Sequence, residues 1–325
     1  MRGSNRSQGR RVKNATARVF GACVMAGVVL LAGACKAQPA SPNSASPAGL
    51  TPRAYVPAFS SAAGQGSTAP SQSPSRRVLF VQGDFVPSSG YPQSRVSDDG
   101  THPESFTRLR TEVLEGELKL AVDETVLTKS AALDKVQFEQ YSLVVLGSNA
   151  RPLTKNELAA LTAYYSHGGS VLVYADAQYG PAAWDSDNSF LSQFGILVLT
   201  DNSQPTVDIT DVETAHPIFA GVKDIRGEGI SQFRVSASAL STSAVIARCS
   251  PLTRSGCILP QADQALVKKG DAVACVFTRE NAAGGRLAGV CDRNFFQNGP
   301  GPGSDLDQAD NHLFASNLFR WLSKS

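Results

Sequence analysis

The chain has 325 residues, six cysteines, four histidines and a formal net charge of +2. Residues 1–35 hold Arg2, Arg6, Arg10, Arg11, Lys13 and Arg18 with no acid, so the remainder carries −4 and offers no basic face for nucleic acid. The roughly 250 residues beyond position 76 suffice for one sizeable core and exclude several large domains.

The basic start runs into the apolar stretch Val19 to Ala34 and ends in LAGAC at Cys35. That is the pattern of a cleavable export signal, and it falls short of the roughly 20 apolar residues a membrane span needs. Small residues followed by cysteine resemble a bacterial lipoprotein signal, which implies Cys35 as the lipidated first residue of the mature chain. Such signals usually carry Leu three places before the cysteine; Ala32 stands there, with Leu31 one place further out. Arg10-Arg11 lacks the rest of a twin-arginine motif. Residues 36–76 are rich in Pro, Ser and Ala and predict a disordered tether, with Tyr55, Val56 and Phe59 as a small apolar island. The expected organisation is therefore 1–35 signal, 36–76 tether and 77–325 a single α/β domain.

Val78 to Val81 predicts a buried first strand, followed by a long polar loop that begins with Asp84 and contains His102. Ser105 to Leu114 reads as a helix, Leu118 to Val122 as a strand and Ser130 to Val136 as a short helical piece. Leu143 to Leu146 and Val171 to Tyr174 are apolar on both faces. Between them Thr154 to Tyr165 has helical spacing, with Leu158, Leu161 and Tyr165 toward the sheet and Lys155, Asn156 and Ala163 away from it. Strand, amphipathic helix and strand together predict a βαβ unit of a parallel, helix-covered sheet.

Asp185 or Asp187 is placed to cap a helix through Phe194, and Ile196 to Leu199 is a strand. Val207 to Ile209, Phe233 to Val235, Ala244 to Ala247, Ala272 to Phe277 and Arg286 to Val290 are strands too closely spaced for intervening helices. They predict an antiparallel or mixed C-terminal extension. Asp310 to Leu322 closes the chain as a helix with a strongly apolar face. The fold class expected is a three-layer, flavodoxin-like α/β domain with a mostly parallel sheet.

Export predicts an oxidising compartment. Cys23 leaves with the signal, Cys35 takes lipid, and Cys249, Cys257, Cys275 and Cys291 remain. Of three connectivities, the local one, Cys249–Cys257 and Cys275–Cys291, is simplest. No CxxC or short cysteine–histidine spacing exists, so no metal is expected. GxxxxGK[ST] and GxGxxG are also absent, and no cofactor is expected.

Ligands of open parallel sheets sit outside the carboxyl ends of the strands. Those ends carry Asp84, then Ser148 and Asn149, then Asp176, then Asp292. Converging carboxylates would raise a pKa or call for a cation; the plainer reading has each accept from loop amides. No GxSxG elbow exists, so a serine site would rest on Ser148 with a base such as His102. His167 belongs to the opposite end of the sheet, while His216 and His312 suit packing or capping. Two aspartates across a groove would suit glycoside hydrolysis.

Four stretches, NELAALTAYYSHGGSVLVYAD, AHPIFAGV at 215–222, GRLAGVCDRNFFQN at 285–298 and DNHLFASNLFRWL at 310–322, resemble the domain shared by bacterial gliding-motility and eukaryotic intraflagellar-transport proteins. That domain is related to class I glutamine amidotransferases. Active members of that superfamily carry a cysteine at the elbow after the strand matching Ser170 to Tyr174; here the elbow is Ala175-Asp176. The resemblance implies the fold without the nucleophile, and carries over Asp292, Asn298, Asp310 and Asn311 as motif positions. The expected function is a non-catalytic binding or assembly module of the bacterial cell envelope. It would be lipid-anchored, at the outer membrane facing periplasm or cell surface, with a glycan or envelope protein as partner. The alternative is an envelope hydrolase acting on carbohydrate or ester substrates. Tyr91, Tyr179 and Trp184 are the aromatic side chains expected for an exposed platform.

Overall fold

A computed structural model describes residues 76–83, 95–97, 102–127, 133–147, 151–176, 181–199, 206–249, 257–299 and 305–325. The expected signal, Cys35 and the tether lie outside the described residues, as do Asp84, Tyr91, Ser148, Asn149 and Tyr179.

Five strands run parallel at the heart of the domain: β1 (Arg77–Gly83), β2 (Ala121–Leu127), β3 (Leu143–Gly147), β4 (Ser170–Tyr174) and β13 (Arg286–Val290). The eight-stranded sheet has the order β2-β1-β3-β4-β13-β12-β10-β7, and its last three members, β12 (Val276–Glu280), β10 (Ser243–Arg248) and β7 (Asp211–Val212), are antiparallel. This is the mostly parallel, helix-flanked sheet with an antiparallel extension that the sequence predicts. β3 and β4 are buried along their whole length, as their two-faced apolar runs require.

The helix between them, α1 (Lys155–Ser166), starts with a capping box. The Thr154 hydroxyl accepts from the Glu157 amide, and the Glu157 carboxylate accepts from the Thr154 amide. Leu161 and Tyr165 face the sheet while Lys155, Asn156 and Ala163 are exposed. Burial pushes the Glu157 carboxyl up, but Arg151 and the amides of Leu133 and Thr154 outweigh it and hold the group down at about 2.

β2 lies on one side of β1 and β4 on the far side of β3. Right-handed crossovers therefore put a π-type helix (Leu109–Glu117) and α1 on opposite faces. After the four-residue α3 (Gln261–Gln264), the last helix, α4 (Asn311–Ser323), packs beside the π-type helix and buries Phe314, Leu318, Phe319 and Leu322. Its rings join Phe80, Phe106, Phe295 and Phe296 in one aromatic cluster.

Several elements depart from the sequence reading. The second strand begins at Ala121 rather than Leu118. It is the sheet's margin and carries polar residues, while Leu118 and Leu120 are buried before it begins. The helix α2 (Pro181–Leu191) opens at Pro181, so neither Asp185 nor Asp187 caps it; Asp187 is buried in its middle. The apolar run 272–277 is two strands, β11 (Ala272–Ala274) and β12, which belong to different sheets. β11 joins β9 (Phe233–Val235) and β5 (Ile196–Val198) in a three-stranded sheet, and β6 (Val207–Ile209) pairs with β8 (Ile225–Gly227).

Cys249 and Cys257 are joined, with Cα atoms 5.3 Å apart. The expected Cys275–Cys291 bridge is not formed; both are buried free thiols, one just before β12 and the other just after β13.

Candidate functional site at the carboxyl ends of β4 and β13

β4 and β13 are parallel neighbours with Val290 opposite Tyr174, and the Ala175 amide prolongs the ladder by donating to the Val290 carbonyl at 2.9 Å. The next residues on each chain, Asp176 and Asp292, are thereby brought to one rim of the sheet. Both are buried.

Asp176 stands two residues beyond the end of β4. Its Oδ2 accepts from Arg293 Nε at 2.5 Å, and the two side chains are 0% and 1% exposed. Its carbonyl accepts from Trp184 Nε1 at 3.2 Å, which ties the first half of α2 to the end of β4. Trp184 is thus half-buried against the core and not a free platform.

Asp292 is held differently. Its Oδ1 accepts from the Asn294 amide at 2.8 Å and its Oδ2 from the Glu228 amide at 2.6 Å. Burial, then the charge on Asp176, push the Asp292 carboxyl well above its ordinary range, against the pull of the two amides and Arg293. Glu228 follows β8; its carbonyl accepts from Asn294 Nδ2 at 2.9 Å, and its half-buried carboxyl is raised by burial and by Asp176. A Cβ on Gly227 would come within 2.8 Å of Asp292 Oδ2, so only glycine lets this loop approach so closely.

The crevice between β1 and β3, where strand order reverses, is filled from the protein itself. The Tyr174 ring covers Gly147, where an added Cβ would lie 2.2 Å from the ring, and its hydroxyl donates to Gln82 Oε1 at 3.0 Å. Phe106 stacks edge-on against Tyr174 at 5.7 Å.

The remaining motif positions are fastened to backbone. Asn298 accepts from the Arg108 amide at 2.7 Å and donates to Ser105 Oγ at 2.7 Å and to the His102 carbonyl at 3.1 Å. Asn311 accepts from the Arg226 amide and donates to the carbonyls of Arg226 and Asp305. Asp310 accepts from the Lys223 amide at 2.7 Å. These residues clamp the loops that approach α4.

Of the histidines, His102 is described through its carbonyl contact, while its possible partner Ser148 lies outside the described residues. His167 closes α1 at the amino ends of the strands. It lines a cleft of about 470 Å³ with Phe138, Tyr141, Tyr164 and Lys324, at the end of the sheet away from the aspartates. His216 caps a turn through Nδ1, packs edge-on against Trp321 at 5.4 Å, and is lowered by burial. His312 pairs with Glu117 at 2.6 Å. Among the described residues no group of three or more histidine, cysteine or acidic side chains is placed to hold a metal.

Arg293 and Glu228 are the side chains the sequence reading missed. Arg293 has a legible signal, since it is a charged residue inside GVCDRNFF, where flanking residues belong to strand and core. Glu228 has none, because it arrives from the irregular stretch between β8 and β9.

No family model and no curated protein matches the chain. Among solved structures, the mmIFT52 N-terminal domain is 16% identical with a TM-score of 0.48, covering 76% of this chain and 98% of that one. A ThuA-like protein from Bacteroides uniformis is 16% identical with a TM-score of 0.45, covering 79% and 95%. A glutamine amidotransferase from Thermotoga maritima is 12% identical with a TM-score of 0.37, covering 65% and 73%.

Proposed function

We propose that this chain is a non-catalytic binding or assembly module of the bacterial cell envelope, held at the outer membrane by a lipid on Cys35, with a glycan or an envelope protein as its partner. One observation carries the reading. The elbow where amidotransferases of the resembled superfamily place a nucleophile falls at Ala175-Asp176, and Asp176 is buried and locked to Arg293. Asp292 beside it spends both carboxylate oxygens on loop amides. A carboxylate that is buried and anchors a loop amide through each oxygen meets a substrate only if the loop comes apart, which leaves those amides unpaired.

A second reading, an envelope hydrolase acting on carbohydrate or ester bonds, is favoured by Glu228. Its carboxyl is half-buried, raised, and near the Asp176 charge, as a general acid is. The two readings separate in one experiment. Purified mature chain is offered aryl glycosides and aryl esters and, in parallel, immobilised glycans and envelope extracts. Binding without turnover supports the module; turnover abolished by Glu228→Gln or Asp176→Asn would replace it with the hydrolase. The anchor is tested by intact mass of the envelope-extracted chain, where an unmodified N-terminus removes it.

A further inference from the structure

α4 ends at the amino side of the parallel strands, away from the aspartates. Arg286 opens β13, and Lys324, just past α4, donates from Nζ at 2.7 Å to the carbonyl of Gly168, two residues before β4. Arg286, Arg320 and Lys324 line a cleft of about 510 Å³ together with Asn317 and Trp321. Lys324 is also a wall of the cleft that holds Phe138, Tyr141 and Tyr164, so the two hollows meet at this side chain. The three cations are only partly answered. Arg286 pairs with Glu280 at 2.8 Å and lies over the Trp321 ring at 4.9 Å. Among the described residues Arg320 and Lys324 are in no ion pair. Arg320 feels Glu117, but that carboxylate is already engaged by His312 and Ser316.

Cations commonly gather at a helix end to answer its bare carbonyls. Here those carbonyls are already taken. That of Phe319 accepts from Ser323 Oγ at 2.7 Å, that of Arg320 from the amides of Lys324 and Ser325, and that of Trp321 from Arg286. Burial, and then the charge on Arg286, lower the Lys324 ammonium, as expected of a cation set among cations. Lys324 also has φ +59°, a conformation that favours glycine, so the chain keeps a lysine here at a backbone cost. We propose that this cleft binds a phosphomonoester, its phosphate held by Arg320 and Lys324 with Arg286 beside them and its organic group toward the aromatic hollow. Such a phosphate carries about −1.5 to −2 at pH 7 and offers three acceptor oxygens. A guanidinium can grip two of these and an ammonium the third, which suits the two cations that lack a carboxylate. The cleft lies at the opposite end of the sheet from Asp176 and Asp292, and the inference does not rest on the envelope reading.

The test titrates the full chain with two probes at low ionic strength. One is glycerol 3-phosphate, followed by calorimetry with glycerol as the uncharged control. The other is phosphatidylcholine vesicles with and without phosphatidate, followed by sedimentation. Saturable binding is expected, weakened by added salt and weakened about tenfold or more by Arg320→Gln or by Lys324→Gln. Lys324→Gly relieves the backbone while removing the ammonium, so it should keep or raise the Tm and still weaken binding, which separates loss of ligand from loss of fold. Recruitment to phosphatidate that fails in the same variants would support the site and assign its phosphate to a lipid headgroup. Variant-sensitive binding of glycerol 3-phosphate alone would support it with a soluble ester. No saturable binding of either probe, or equal binding by wild type and Arg320→Gln/Lys324→Gln, would overturn the proposal.

Discussion

Replacing Arg293 with Met removes the guanidinium from Asp176 and keeps most of the apolar stem. Both side chains are essentially solvent-free, so the carboxylate stays in the core without this cation. Breaking a buried ion pair from one side costs about 3–5 kcal/mol. The upper half of that range applies, because Asp292 is already pushed upward by Asp176 and Glu228 feels the same charge. In urea titration, with a slope of about 2–3 kcal/mol/M, the midpoint should fall by about 1.3–2.5 M at pH 7. The variant should also respond to pH with a definite sign. Protonation would discharge the buried carboxylate that has lost this cation, so the penalty is full at neutral pH and shrinks as pH falls. Wild type and variant should therefore converge toward pH 4. Asp176→Asn placed in the same background should recover about 2–3 kcal/mol, the coupling of a contacting pair. A loss under about 1 kcal/mol, with a gap indifferent to pH, would refute the claim that this pair is dry and holds the rim together.

Other substitutions probe the neighbouring contacts. Glu228 is raised by burial and by Asp176, so its share of stability is present below the ordinary glutamate range and lost as pH rises through the raised value. Glu228→Gln should flatten that window and add about 0.3–1 kcal/mol at pH 7, discounted for its partial exposure; a steeper profile in the variant would reverse the assignment. Asn298→Ala strips the Arg108 amide, the His102 carbonyl and Ser105 of a partner and should cost about 1–3 kcal/mol, with hydrogen exchange rising first at Arg108. Gly289→Ala would put a methyl 2.1 Å from the Phe277 ring and should lower stability by about 1–3 kcal/mol, and a neutral result in thermal denaturation would show that the ring moves aside freely.

The βαβ unit at the centre was legible because β3 and β4 are apolar on both faces, and α1 shows a single apolar stripe. Where a local pattern served two masters, it misled. Residues 118–122 look like a strand because Leu118 and Leu120 are buried, yet the ladder runs through the polar residues after them. The run 272–277 is uniformly apolar on both sides of the point where the chain passes from one sheet to another, so hydrophobicity alone cannot mark the switch. That same switch hides the rim. Strand ends could nominate Asp176 and Asp292, but only the insertion of β13 beside β4 makes them neighbours, and no periodicity encodes that choice. The loops holding Asp84, Ser148 and Asn149 lie outside the described residues.

The sheet's two margins have a shared consequence. Along β2, Asp123 is paired to Arg77 and Glu124 to Arg95 in a two-pronged contact, and at the far side β7 is only two residues long. A foreign strand approaching β2 meets fixed ion pairs and their hydration, and one approaching β7 finds too short a template to zip onto. Copies crowded together have little means of recruiting one another edge to edge into fibrils, whatever first gathered them.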